Sequence, residues 1–462
     1  MRLRPLAMLG LSLGLTACAP TNSELEAEVD RATAAALPAI SSEWRMASES
    51  GAAGSGWLAS FNDPLLAQLV REAQENNLDL QVAAAGVEQA RALARQAGAD
   101  LSPGLGLSLG GERGGRLESG TGAASSGYSG GLQASWELDL WGRIRSGAAQ
   151  ATASAEAAAA DFKFAQYSVA ANTALAYFAI IEANLQTAIA EESLGLLRET
   201  LRIVEAQYNE GVASSQDLAL TRSDLAAAQD RLIELEGSTR EATRSMELLL
   251  GRYPSAELEL VERLPAVPAP PAAGLPARVL EARPDLVAAE REVAAAFNTV
   301  SVARAARLPA VSLTAGLGGV ASELTSLVDS TNVSWSAGTS LLAPILDGGR
   351  LRENVVIATA QQEAALANYA NAALAAFSDV ESALDQGQVL AARQAALEES
   401  AAQATEAYRI ADLRYREGEV SLIDLLSVQQ RVISARSSLV SINRLLLAQR
   451  VSLALALGDG WQ

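Results

Sequence analysis

Not one of the 462 residues is histidine, and a single residue, Cys18, is cysteine. The first absence removes imidazole acid–base catalysis, His-containing triads and histidine metal sites. The second excludes an intrachain disulfide and any CxxC redox motif. Aromatic residues make up only 4% of the chain and charged residues 19%, while alanine and leucine dominate, a mix that favours long helices over compact sandwiches. Positive charge is scarce as well. Lys and Arg number 35 against 54 Asp and Glu, and the resulting net charge of −19 repels nucleic acid. Past residue 18 no uninterrupted apolar run reaches the ~20 residues of a spanning helix. If the chain crosses a bilayer, it crosses as strands.

What is present begins at the N-terminus. Residues 1–17 read as a signal peptide, with Arg2 and Arg4 ahead of a short apolar stretch and small residues before the cut. The Leu15-Thr16-Ala17-Cys18 ending resembles a bacterial lipobox, which makes Cys18 the lipidated first residue of the mature chain. By analogy with bacterial lipoproteins, Ala19 rather than Asp after it favours sorting to the outer membrane. Acyl chains anchor through buried methylenes at about 0.8 kcal/mol each. Residues 18–56 are polar and small, and are expected to form an extended tether.

The stretch YNEG at 208–211 returns as YREG at 415–418, 207 positions later. At the same offset Arg202-Ile203 meets Arg409-Ile410, Asp217-Leu218 meets Asp424-Leu425, Gly142-Arg143 meets Gly349-Arg350, and Leu250-Gly251 meets Leu457-Gly458. The chain is a tandem duplication with units of about two hundred residues, far longer than a solenoid repeat. We assign repeat 1 to 57–251, a proline-rich linker to 252–282, repeat 2 to 283–458 and a short tail to 459–462. Leu218, Leu225, Leu232 and Met246 lie at heptad intervals after the first glycine, and Leu425, Val432, Leu439, Leu446 and Leu453 after the second. A sustained seven-residue period means helices packed side by side. Gly211 and Gly418 suit the left-handed position that ends the incoming helix, and Ser214 or Ser215 suits the cap of the outgoing one. Each YxEG thus marks the turn of a helical hairpin. An incoming helix running from near Gly142 to Tyr208 would be roughly 100 Å long.

Four stretches switch to strict alternation: 103–111, 127–140, 309–318 and 333–343. Leu105, Leu107 and Leu109 alternate with glycine and serine. Leu132, Ala134 and Trp136 share one face of the second stretch, Leu313 and Leu317 one face of the third, and Val333 and Trp335 one face of the fourth. Each has about the 9–11 residues of a tilted transmembrane strand, apolar outward and small or polar inward. Half-buried soluble strands alternate in the same way. Four strands cannot close a barrel, for which about eight are needed, and an open edge in lipid leaves backbone groups unpaired. If the strands are in a membrane, several chains must pool them.

Enzyme motifs fail. GYSGG at 127–131 fits a G-x-S-x-G nucleophile elbow, but no histidine exists to serve it and it lies in an alternating strand. GLGLSLG at 104–110 has its third glycine one place late for a dinucleotide loop, and no lysine follows for a P-loop.

WLASFNDPLLAQLVREAQENNLDL (57–80), LSP (101–103), WELDLWGRIRS (136–146), RPDLVAAEREVAAA (283–296) and PILDGGRLRENV (344–355) together resemble the TolC-like outer membrane factors, and within them the NodT-type efflux lipoproteins. The resemblance runs from about Trp57 to Gly458. It implies a mostly α fold with a membrane β-barrel: a homotrimer whose twelve-stranded barrel in the outer membrane continues as a twelve-helix coiled-coil barrel across the periplasm. It implies an exit duct with no catalytic residue and no cofactor beyond the lipid on Cys18. Its partners would be outer membrane lipid, a periplasmic adaptor and an inner-membrane pump. The two hairpin turns become the periplasmic tips, where Gly211, Gly418, Glu210 and Glu417 match the adaptor contact. Asp424 matches an acid whose three copies ring the closed gate, and Asp217 and Tyr415 match a pair that links hairpins in the closed state. The family's second acid falls here on Ser427, and its arginine partner on Val420. The plainer reading of Asp217 and Asp424 is that they simply begin helices, where acids offset the dipole. The competing reading of the whole chain is a lipid-anchored periplasmic coiled-coil scaffold without a channel.

Cys18→Ser is expected to abolish acylation while sparing the fold. Metabolic labelling with palmitate checks it, and an unlabelled wild type would refute the lipobox.

Overall fold

A computed structural model describes residues 22–37, 43–46, 56–114, 125–258, 263–270 and 273–458. Cys18 and the expected signal peptide before it lie outside the described residues. The helices are α1 (Asn22–Ala36), α2 (Pro64–Asn76), α3 (Leu78–Ala99), α4 (Arg143–Asn209), α5 (Ser215–Leu249), α6 (Pro276–Ala282), α7 (Pro284–Ala305), α8 (Arg350–Arg416) and α9 (Leu422–Leu457). The strands are β1 (Gly104–Gly114), β2 (Ser125–Leu138), β3 (Ala310–Ala321) and β4 (Val333–Leu342).

The duplication is visible in the element lengths. Both α4 and α8 have 67 residues, and both α3 and α7 have 22. The start of each long helix is fixed by an upstream carboxylate. Asp139 accepts from the Ile144 and Arg145 N–H groups at 2.9 and 3.0 Å, and Asp347 accepts from those of Gly349 and Leu351 at 3.0 and 2.8 Å. These are the orphan donors of a helix N-terminus, and an anion there also meets the positive end of the dipole. The heptad positions read from the sequence are buried or half-buried along both α5 and α9.

The chain divides into two compact units that cut across the repeats. One comprises residues 1–37, 87–158 and 289–370, the other residues 38–86, 159–288 and 371–462. The first holds the sheet, whose strands run antiparallel in the order β1-β2-β3-β4. The register joins the four alternations into one apolar face. Leu107 pairs with Leu132, Leu132 with Leu317 and Leu317 with Trp335. This row stays uncovered: the four residues are 68%, 43%, 51% and 79% exposed. The opposite face is built from small residues such as Gly131 and Gly318, which face each other across β2 and β3. A Cβ added to Gly318 would approach the Gly130 carbonyl oxygen to 2.6 Å, so only glycine fits there. Trp141 anchors the end of the sheet by donating from Nε1 to the Pro309 carbonyl at 2.7 Å.

The expected extended tether is corrected over part of its length. Residues 22–36 form helix α1, which packs Val29 against Val293, Phe297 and Tyr369 of α7 and α8. Leu25, Val29 and Ala32 recur at helical spacing and supply an apolar stripe to bury. In the second unit Trp44 is 6% exposed, lies 6.1 Å from the Phe377 ring and donates to the Ala273 carbonyl.

The main core of the second unit joins Leu66, Leu69 and Ala73 of α2 to Tyr177, Phe178 and Ile181 of α4, with Met246 of α5 and Leu447 and Val451 of α9. Windows of α4 and α9 are apolar enough to cross a bilayer by composition, yet 50% and 44% of them are buried inside the molecule. Burial on one side is what packed helices show. Asp63 ties this core to its entry turn. It caps α2 by accepting from the Leu65 and Leu66 N–H groups, ahead of Pro64 at the first helical position, and it accepts the Tyr177 hydroxyl at 2.7 Å.

Burial, together with the hydrogen bond to Asp63 and its charge, holds the Tyr177 phenol well above its ordinary 10.0. The folded phenol therefore keeps a proton that the unfolded one loses. Its contribution to stability is complete below pH 10 and declines as pH rises beyond it. Tyr177→Phe is expected to lose about 1 kcal/mol at neutral pH and to flatten the alkaline decline. Helix unfolding followed by circular dichroism checks this, and identical alkaline slopes in the two proteins would contradict it.

Candidate functional site at the hairpin tips

Two turns built on one plan join α4 to α5 and α8 to α9. In the first, Gly211 takes a φ of +75°, and the N–H of Val212 reaches back to the Gln207 carbonyl at 2.8 Å. In the second, Gly418 takes +79°, and the N–H of Glu419 reaches the Arg414 carbonyl at 2.9 Å. A left-handed residue followed by this long return bond closes the last helical turn, and glycine adopts it without strain. Glu210 and Glu417 stand exposed beside the two glycines.

Each outgoing helix then starts on a reciprocal cap. Ser214 Oγ accepts from the Asp217 N–H at 3.1 Å, while the Asp217 carboxylate accepts from the Ser214 N–H at 3.0 Å and its hydroxyl at 2.7 Å. Ser421 and Asp424 repeat this with distances of 3.2, 3.3 and 2.7 Å. The arrangement satisfies two orphan donors at once. Donation from the backbone and then the hydroxyl of Ser214 holds the Asp217 carboxyl below the usual carboxylate range, against the opposing effect of burial. Ser214, not Ser215, is the cap. Both acids thus occupy helix starts, and Asp424 keeps its side chain exposed.

An apolar cluster holds the two tips of one chain together. Tyr415, Leu422 and Leu425 of the second hairpin pack on Val204 of the first, with Ala213, Leu218 and Val420 around them. Tyr415 is 9% exposed and donates its hydroxyl to Gln207 Oε1 at 3.3 Å. Asp217 is not its hydrogen-bond partner. It is close enough to act through charge: burial first, and then the Asp217 carboxylate, push the Tyr415 phenol up, while the Gln207 contact works the other way. Val420 adds to the apolar packing.

Gln207 was not visible as a functional residue in the sequence, since one glutamine on a long helix carries no spacing signal. The reciprocal caps had a signal, the doubled S-x-x-D at 214–217 and 421–424. Cys18 lies outside the described residues.

The family model described as "Outer membrane efflux protein" matches residues 69–252 and 275–459. The pyoverdine export outer membrane protein OpmQ of Pseudomonas putida KT2440 is 34% identical over 420 residues, covering 88% of both chains. The cation efflux system protein CusC of Escherichia coli O6:H1 is 31% identical over 410 residues, again covering 88% of both. Among solved structures, the outer-membrane channel OprN superposes with a TM-score of 0.84 at 30% identity, over 92% of this chain and 98% of its own. The open state of the MtrE channel of Neisseria gonorrhoeae gives 0.80 at 28% identity, over 92% and 97%. Two matched halves, full-length relatives and the shared fold lead to one conclusion: the chain belongs to the outer membrane efflux protein family, the TolC-like outer membrane factors, and is an efflux channel component rather than an enzyme.

Proposed function

We propose that three copies of this chain assemble into a passive exit duct anchored by lipid on Cys18, and that the hairpin tips form its periplasmic gate. The observation that carries the assembly is the sheet. Its face along Leu107, Leu132, Leu317 and Trp335 is exposed and apolar, and its outer strands β1 and β4 have no partner beyond them among the described residues. A soluble β domain would bury such a face, which weighs against the scaffold reading. Hydrocarbon accepts the face but not the edges, since an unpaired backbone group there costs several kcal/mol. Twelve strands from three copies pair every edge and exceed the about eight that a closed barrel needs. The long helices of the same three copies would continue the duct through the periplasm.

At the tips the reading rests on Asp424. Its three copies around a narrow neck would repel each other and attract cations. Exposed Glu210 and Glu417, with the two glycine turns, offer the contact for a periplasmic adaptor, and an inner-membrane pump supplies the energy. Opening separates the hairpins by breaking the packing of Tyr415 and Leu425 on Val204. It is a two-state movement that adaptor binding biases. The relatives named above export pyoverdine and cations by their names, and this chain is read as a conduit for small molecules chosen by its pump.

Asp424 is both a cap and a charge, and one substitution separates the two. Asp424→Asn keeps an oxygen for the Ser421 donors and removes the charge. It is expected to weaken divalent-cation block and raise single-channel conductance in planar bilayers at unchanged thermal stability. Unaltered block and conductance would remove Asp424 from the gate.

A further inference from the structure

A cavity of about 550 Å³ opens among α4, α5 and α9. That volume lies within the ~300–1,000 Å³ range of small-molecule sites. Its apolar lining comes from Ile189 and Leu197 of α4, Leu235 of α5, and Leu426 and Ile433 of α9. Serines and further glutamines also line it, and two of its polar residues, one from each hairpin, stand apart. The carboxyl of Asp224 on α5 is pushed above the usual carboxylate range by burial, with no donor or cation among the described residues to offset it. Arg231, the cation on the same wall, is already engaged by Glu234. Gln429 on α9 is 3% exposed, and neither its carboxamide oxygen nor its nitrogen has a hydrogen-bond partner among the described residues. It also lines a smaller cavity of about 90 Å³ among α4, α8 and α9, so it stands in the partition between the two spaces.

Buried polar groups are almost always paired. A water molecule could serve the carboxamide, but it would leave the charge on Asp224 uncompensated. We propose that this cavity binds amphipathic organic ammonium ions: an apolar body lies against Ile189, Leu235 and Ile433, the ammonium pairs with Asp224, and an N–H of the same molecule meets the Gln429 carboxamide oxygen. A charge-assisted hydrogen bond in a half-buried site is roughly twice as strong as a neutral one, which sets the selectivity. A bound cation touches α5 of the first hairpin and α9 of the second, and so bridges them.

Calorimetric titration of the full-length protein in detergent with 2-phenylethylammonium, and with the neutral analogue 2-phenylethanol, tests the site. The wild type is expected to bind the ammonium saturably and about tenfold more tightly than the alcohol. Asp224→Asn should remove that preference. Gln429→Leu, which keeps the volume and leaves no orphaned amide, should weaken the ammonium at least about threefold without lowering the unfolding temperature. Lack of saturable binding, equal affinity for the two probes, or wild-type affinity in either variant would overturn the proposal.

Discussion

Backbone hydrogen bonding at the two open edges of the sheet is the constraint on which the remainder depends. Across β1 to β4 the apolar face is continuous at its centre, because the register aligns Leu107, Leu132, Leu317 and Trp335 from strand to strand, while glycines at 130 and 319 stand in the row of Leu109 and Val333. That continuity suits a lipid-facing surface and has no use in water, where the same residues would be driven together. Hydrocarbon removes the objection to exposed leucine and creates another, since it offers nothing to an unpaired N–H or C=O. Membership in a family of outer membrane channels fits both halves of this statement.

The helical part follows a simpler rule, in which one local grammar is written twice. Glycine ends the incoming helix, and serine with an acid three residues on starts the next. An aspartate upstream of Gly142 or Gly349 starts the long helix itself. Each device is local and short-ranged, so a duplicated gene carries it unchanged. What differs between the copies lies where they meet. Tyr415 is buried against the first tip, whereas its counterpart Tyr208 is 43% exposed. Duplication thus set the two hairpins, and asymmetric packing at Val204, Tyr415 and Leu425 joins them.

The strands and tips were legible in the sequence because their signals are periodic or repeated. Alternation needs only neighbouring residues, and a turn glycine needs only its own φ. The helical segment at 22–36 was not read because it is short and polar, and its stripe of Leu25, Val29 and Ala32 acquires meaning only when α7 and α8 supply a surface. Asp63 was equally hidden. Its role as a cap has a local signature in the following proline, but its bond to Tyr177 spans 114 positions and no spacing rule reaches so far. The acids at 217 and 424 were legible both as matches to a gate and as helix starts, and the structure shows the second, each closing a reciprocal cap. Gln207 and Gln429 carried no sequence signal at all, since glutamine on a helix is ordinarily solvated. Their standing comes from what surrounds them.

The central claim concerns pairing between identical chains, so mass is its most direct test. Sedimentation of the full-length protein in mild detergent, with matched reconstitution into a lipid film, measures the number of copies and whether they enclose a pore. The account predicts a particle of three chains that passes ion current. A monodisperse single chain without current would contradict it.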